Sequence, residues 1–162
     1  MKKICIVFLA VMLLLLSQVC VFAESTPDVI LVGVEGNSSD LVSITKPENQ
    51  KDSTFNISYI VSGYGKTGTT VTLYRYNPSD MVYEKMYVET STIDKNGASK
   101  IVERASEVGI GTSGLFMCPA ALNQGENSFL LRAENGQKVQ YVELQITKYS
   151  YNIIDLIKSI TA

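Results

Sequence analysis

Short apolar runs separated by turn-forming residues dominate the chain after residue 23 and constrain its fold most. Turn signals rich in Gly, Asn, Asp and Pro recur at fairly even spacing, at residues 36–40, 77–80, 94–97, 123–126 and 134–137. Between them, apolar and polar residues alternate, as in residues 54–62, where Phe55, Ile57, Tyr59 and Val61 share one face. No helical period separates these runs. The pattern is typical of an all-β sandwich or barrel.

The same alternation predicts the individual strands. The predicted strands cover residues 29–32, 41–45, 54–62, 69–76, 81–89, 100–104, 115–118, 128–133 and 139–147. Asn135-Gly136 between alternating apolar residues is a strong hairpin signal. We therefore expect a tight hairpin at this point, and a flexible glycine-rich loop at residues 109–114.

The first 23 residues have a different composition. Lys2 and Lys3 precede an apolar run over residues 4–16, and Val21-Phe22-Ala23 gives the small-residue pattern that signal peptidase accepts. This predicts a secretory signal peptide, residues 1–23, with cleavage after Ala23. An uncleaved membrane anchor is the alternative, since the apolar stretch approaches the roughly 20 residues that span a bilayer.

Cleavage would leave a chain of single-domain size. Removal of residues 1–23 from the 162 leaves 139 residues, with 12 basic and 16 acidic side chains and a net charge of −4. This balance argues against nucleic acids and anionic membranes, which call for basic patches. Cys118 becomes the single remaining cysteine, so no intrachain disulfide can form. We expect one domain, residues 24–148, held together by hydrophobic burial.

The residue types argue against catalysis. The chain contains no histidine, which removes the most common general base and the most common transition-metal ligand. Cys118 would have no imidazole to activate it, and no serine lies in a Gly-x-Ser-x-Gly elbow. We predict no enzymatic activity, no cofactor and no metal. A calcium site at a loop end, using Asp28, Asp40 or Glu48, stays open, although no spacing favours it.

The last residues, 149–162, change period. Asn152 can cap a helix in which four apolar residues lie on one side: Ile153, Leu156, Ile157 and Ile160. We expect a short amphipathic helix here. It either closes one end of the sandwich or docks on a partner, because an isolated helix of this length is marginal in water.

Three parts of the chain carry recognisable strand and turn motifs: residues 61–65 with 68–74, residues 94–97, and residues 121–127 with 131–133. They resemble the bacterial immunoglobulin-like repeats of secreted and surface proteins, over about residues 42–147. The tryptophan often found after the Asn-Gly turn in that family is missing here. The resemblance implies an immunoglobulin-like antiparallel β-sandwich. It also implies a spacer, adhesion or ligand-binding module without catalytic residues.

The tyrosines predict a recognition surface. If residues 78 and 79 are the tip of a hairpin over residues 70–89, Tyr74 faces Tyr83 across it. Strand alternation then places four tyrosines on one face, with Lys85 as a polar neighbour: Tyr74, Tyr76, Tyr83 and Tyr87. Turned outward, this face would suit a protein partner or a sugar ring. Half-buried strand positions are the alternative. The opposite face, with Val71, Leu73, Val82 and Met86, is the predicted core.

These patterns together predict a secreted, non-catalytic module for protein binding, adhesion or structural spacing at the cell envelope. The alternative is a carbohydrate-binding module that uses the surface tyrosines, although the absence of tryptophan argues against it. The expected partner is an extracellular or cell-envelope protein or glycan, and any attachment to the cell surface would be non-covalent. If the tyrosine face is not the recognition surface, the loops at the sandwich ends, especially residues 103–114, are the next candidates.

Overall fold

A computed structural model describes residues 26–93, 95, 97 and 99–150. Within this part the chain is all-β, as predicted, with twelve strands and one short 3-10 turn. No helix among these residues is long and apolar enough to span a bilayer. The predicted signal peptide, residues 1–23, and the predicted C-terminal helix from residue 151 onward lie outside the described residues. Tyr149 and Ser150, the first two residues of that predicted helix, are not helical.

The elements follow one another along the chain with short connections. Their bounds are β1 (Val29–Leu31), β2 (Val42–Lys46), the 3-10 turn (Glu48–Gln50), β3 (Lys51–Thr54), β4 (Ser58–Gly65), β5 (Thr70–Asn77), β6 (Val82–Lys85), β7 (Tyr87–Ile93), β8 (Ser99–Ala105), β9 (Glu107–Gly109), β10 (Leu115–Ala121), β11 (Gly125–Asn135) and β12 (Lys138–Lys148).

Most of these strands belong to two sheets. A three-stranded sheet has the order β10-β4-β2, and a larger sheet has the order β1-β6-β5-β11-β12-β3, with β9 also paired to β5. Neighbouring strands are antiparallel except that β3 runs parallel to β12. The strands β7 and β8 form a separate two-stranded hairpin. The Asn-Gly hairpin is confirmed, because Asn135 pairs with Lys138 across a two-residue turn.

The main hydrophobic core takes side chains from both sheets. The three-stranded sheet contributes Tyr59, Val61, Phe116, Cys118 and Ala120, and the larger sheet contributes Val71, Leu73, Phe129, Leu131, Leu144 and Ile146. Successive side chains of a strand point to opposite faces, so these alternate residues all turn toward the same interior. The prediction of Val71, Leu73 and Met86 as core is confirmed, whereas Val82 is only partly buried.

Three predicted elements differ from the structure. Phe55 and Ile57 are 49% and 76% exposed, because residues 55–57 bend between β3 and β4 and the inward alternation begins only at Tyr59. The predicted strand 81–89 is broken at Met86, whose N–H donates to the carbonyl of Leu73 and whose carbonyl accepts from Ser106. The predicted loop 103–114 contains the end of β8 and all of β9.

The close approach of β2, β4 and β10 depends on Gly63. A Cβ atom at this position would lie 2.2 Å from the backbone oxygen of Ser43 and 2.9 Å from the ring of Phe116. Gly63 pairs with Phe116 of β10 on one side and Ile44 of β2 on the other. Even a methyl group would therefore force backbone apart inside the three-stranded sheet.

We predict that Gly63→Ala lowers the free energy of unfolding by about 2 kcal/mol or more, because the clash is with backbone and a core ring. Gly109→Ala is the matched control, since a Cβ at Gly109 meets nothing within 4 Å, and it should change stability by about 0.5 kcal/mol or less. Urea denaturation of both variants measures the difference. Equal stability of the two would show that β2 and β4 are not packed this closely.

Candidate functional site

Four of the five predicted site residues lie together on the outer face of the larger sheet. Tyr76 pairs with Tyr83 and Tyr74 pairs with Lys85 across β5 and β6, and the rings of Tyr76 and Tyr83 are 5.4 Å apart. The predicted pairing of Tyr74 with Tyr83 is wrong by two residues, because the turn between the strands spans residues 78–81. A two-residue shift keeps the alternation, so these side chains still share one face.

This tyrosine face is covered. Tyr74 is fully buried and Tyr83 is 7% exposed. With Ile30 and Leu130 they form a second hydrophobic cluster, against which Tyr76 and Tyr141 pack with part of their surface. Burial raises the pKa of the Tyr74 and Tyr83 hydroxyl groups above the ordinary tyrosine value. The expectation that this face points outward is therefore wrong for Tyr74 and Tyr83.

Residues 26–31 supply the cover. The Tyr74 hydroxyl donates to the carbonyl oxygen of Pro27 at 2.7 Å. The ammonium group of Lys85 donates to the carbonyl and the hydroxyl of Thr26 at 2.6 and 2.9 Å, and it lies 3.2 Å from a carboxylate oxygen of Asp28. Only 8% of the Lys85 side chain is exposed. We call residues 26–31 the N-terminal segment. This segment lies over Tyr74 and Lys85 of the predicted site.

Tyr87, the fifth predicted site residue, lies apart from this cluster. It is 53% exposed at the start of β7, and its hydroxyl is 3.4 Å from a carboxylate oxygen of Asp28. Because the chain leaves the larger sheet after Lys85, Tyr87 belongs to the separate hairpin. It does not extend the tyrosine face.

Two of the three carboxylates considered for calcium, Asp28 and Asp40, have lysine neighbours, and the third, Glu48, is exposed in the short 3-10 turn. Asp28 lies beside Lys85, and Asp40 forms an ion pair with Lys66 and accepts from Ser38. The hydrogen bond from Lys66, helped by that from Ser38, lowers the pKa of Asp40 to about 2. Across the described ranges, no three His, Cys, Asp or Glu side chains come close enough together to hold a metal ion.

Exposed apolar side chains collect instead on the outer face of the three-stranded sheet. Leu115 and Met117 of β10 are 64% and 66% exposed. Leu115 lies opposite Tyr64, and Pro119 lies opposite Ile60, so these residues form a continuous surface. We define the β10 face as Ile60, Tyr64, Leu115, Met117 and Pro119.

The strand β10 is also at the edge of its sheet, since β4 is its one neighbour among the described strands. Part of that edge is capped by the protein itself. The Ser106 hydroxyl donates to the carbonyl of Pro119 at 3.1 Å, and the Arg75 guanidinium donates to the carbonyl of Ala121. In an antiparallel ladder every second residue directs its backbone groups away from the neighbouring strand. The N–H and C=O of Met117 therefore face the uncapped part of the edge.

A pocket opens beside this uncapped edge. Its volume is about 570 Å³, and it is lined by Thr45, Ser62, Gly63, Val108, Ser113, Leu115, Phe116 and Met117. An added β-strand needs free backbone groups to pair with and a surface that accepts its side chains. The uncapped edge offers the first, and the apolar surface with its pocket offers the second. This arrangement can bind an extended polypeptide.

Sequence reasoning missed the β10 face, although a signal was present. Residues 115–118, Leu-Phe-Met-Cys, are apolar on both faces of a strand, and only Phe116 and Cys118 turn inward. Burial raises the pKa of the Cys118 thiol to about 12, so the thiol stays protonated and unreactive at neutral pH. Leu115 and Met117 then give the strand an apolar outer face.

Comparison with models of known protein families gives no match to this chain, and no curated protein matches it. The function is therefore inferred from the chain's own surfaces. Of these, the β10 face combines exposed apolar area, a free strand edge and a pocket.

We predict that Tyr74→Ser lowers the free energy of unfolding by about 3 kcal/mol or more, because it empties a fully buried ring site. Tyr87→Ser is the matched control on an exposed tyrosine and should cost about 1 kcal/mol or less. Chemical denaturation compares the two. If both variants are equally stable, the ring of Tyr74 is exposed in solution and the N-terminal segment does not cover it.

Proposed function

We propose that this protein is a secreted, non-catalytic module with an immunoglobulin-like sandwich, and that it binds an extracellular or cell-envelope protein through the β10 face. Immunoglobulin sandwiches place strands A, B and E in one sheet and strands C, F and G in the other. The set β2, β4 and β10 against β5, β11 and β12 fits this division, with β6 in the position of the additional strand C′. This strand arrangement supports the immunoglobulin-like assignment.

The observation that carries the binding proposal is the exposed apolar edge at Leu115 and Met117. Exposed apolar edge strands invite pairing with other chains, and natural proteins usually shorten, charge or cover them. Here Pro119, Ser106 and Arg75 close one part of the edge, while Leu115 and Met117 stay exposed. An exposed apolar surface of this kind favours a binding function over a purely structural spacer function.

The geometry favours an extended segment of the partner as the ligand. Backbone hydrogen bonds to Met117 would supply affinity, and apolar side chains at alternate positions of the segment would enter the pocket and cover the β10 face. The closed part of the edge at Pro119 and Ala121 limits the contact to a few residues. We therefore expect a short apolar strand as the recognised motif.

The carbohydrate-binding alternative rested on outward-facing tyrosines. Tyr74 and Tyr83 are covered by the N-terminal segment and cannot stack on a sugar ring in this arrangement. No other specific observation favours a glycan ligand. A glycan array tests this alternative directly, and we expect no binding.

We predict that Leu115→Lys with Met117→Lys weakens capture of the partner, because two charges replace the apolar surface. The full-length chain is immobilised and exposed to cell-envelope extract, and captured proteins are compared by mass spectrometry. Leu31→Lys with Met81→Lys is the matched control, since Leu31 and Met81 are 71% and 68% exposed on other elements. The partner should be lost at least about tenfold with the first pair and retained with the second.

Both double variants should fold, because all four side chains are exposed. Circular dichroism and the thermal midpoint verify this before binding is compared. A partner captured equally well by the Leu115 and Met117 variant would refute the β10 face as the binding surface.

A further inference from the structure

The hairpin of β7 and β8 stands outside both sheets. Its base is anchored in the core, where the N–H of Ser106 donates to the carbonyl of Met86 at 2.7 Å and both residues are buried. Beyond this base, every described strand residue of the hairpin is exposed or only partly buried. A two-stranded hairpin alone is at best marginally stable in water. We therefore expect the β7–β8 hairpin to gain stability when another surface covers it.

One face of the hairpin is acidic and apolar. Glu89 lies directly opposite Glu103, and like charges in this position destabilise a strand pair. The same face carries Tyr87, Ile93 and Ile101, which are 53%, 77% and 67% exposed. We call these five residues the acidic face. Neither glutamate takes part in the ion pairs found within the described ranges.

The opposite face of the same hairpin is basic. Lys100 lies opposite Thr92, and Arg104 lies opposite Val88. Both cations are exposed, while Val88 and Val102 are partly buried between them. We call Val88, Lys100, Val102 and Arg104 the basic face. These two cations are also absent from the ion pairs of the described residues.

We propose that the acidic face of one copy of this protein docks on the basic face of the hairpin of a second copy. The two faces match in charge, with two carboxylates against two cations, and each offers aliphatic side chains to the other. Contact would relieve the repulsion between Glu89 and Glu103 and would remove Ile93 and Ile101 from water. The two hairpin faces share no residue with the β10 face.

The geometry of this contact makes it open-ended. The two surfaces that meet are different faces of the hairpin, so each copy in a pair still presents one unused acidic or basic face. Such heterologous contacts extend into chains of subunits unless the rotation closes them into a ring. We therefore expect a series of oligomers whose mean size rises with protein concentration.

Two charge-reversed variants of the full-length chain test the proposal. Glu89→Lys with Glu103→Lys makes both faces basic, and Lys100→Glu with Arg104→Glu makes both faces acidic. Sedimentation velocity at roughly 20 mM salt, where the screening length is long, measures self-association. The unaltered chain should associate. Each variant alone should associate about tenfold more weakly or worse, and an equimolar mixture should regain association because its faces are again complementary.

Two further measurements keep the outcome decisive if a reversed hairpin is poorly folded. Association of the unaltered chain should fall when salt is raised to roughly 500 mM, and this requires no substitution. Glu35→Lys with Glu48→Lys, at exposed residues outside the hairpin, changes the net charge equally and should leave association intact. An unaltered chain that stays monomeric, variants that associate alone, or a mixture that fails to associate would each overturn the proposal.

Discussion

The rest of the structure depends on the central strand pair β5 and β11 being buried on both faces. Residues 71–74 of β5 and 129–133 of β11 are consecutively buried, and successive side chains of a strand point in opposite directions. Both sides of this pair therefore need a cover. The three-stranded sheet covers the inner side. Residues 26–31 cover part of the outer side, where Pro27 accepts from Tyr74 of β5 and Ile30 clusters with Leu130 of β11.

This double cover removes the tyrosine face from the surfaces available for recognition. With the outer face of the larger sheet occupied, the β10 face and the β7–β8 hairpin are two of the places where exposed apolar side chains collect. The two proposed contacts use different residues on different strands. A chain of subunits joined through their hairpins would display many β10 faces, and such repetition raises avidity for a partner that is itself repeated.

The sequence predicts what depends on local pattern and misses what depends on distant contact. Alternation and turn residues predict the all-β class, the inward placement of Val71 and Leu73, and the hairpin at Asn135. They place Tyr74, Tyr76 and Tyr83 correctly on the face opposite this core, but not Tyr87, which belongs to the separate hairpin. They do not reveal that Thr26 lies against Lys85, 59 residues further along the chain. The sequence therefore predicts the tyrosine face as exposed. The β10 face was detectable, because four consecutive apolar residues cannot all turn inward from one strand.

Native-state hydrogen exchange at Met117 tests the open edge of β10 most directly. The carbonyls of Pro119 and Ala121 point away from β4. By alternation the backbone groups of Phe116 and Cys118 turn toward β4, whereas the N–H of Met117 faces the uncapped edge. We predict that the Met117 amide exchanges about a hundredfold or more faster than the amides of Phe116 and Cys118. Protection of Met117 equal to that of its two neighbours would contradict an open edge, and with it the proposed binding surface.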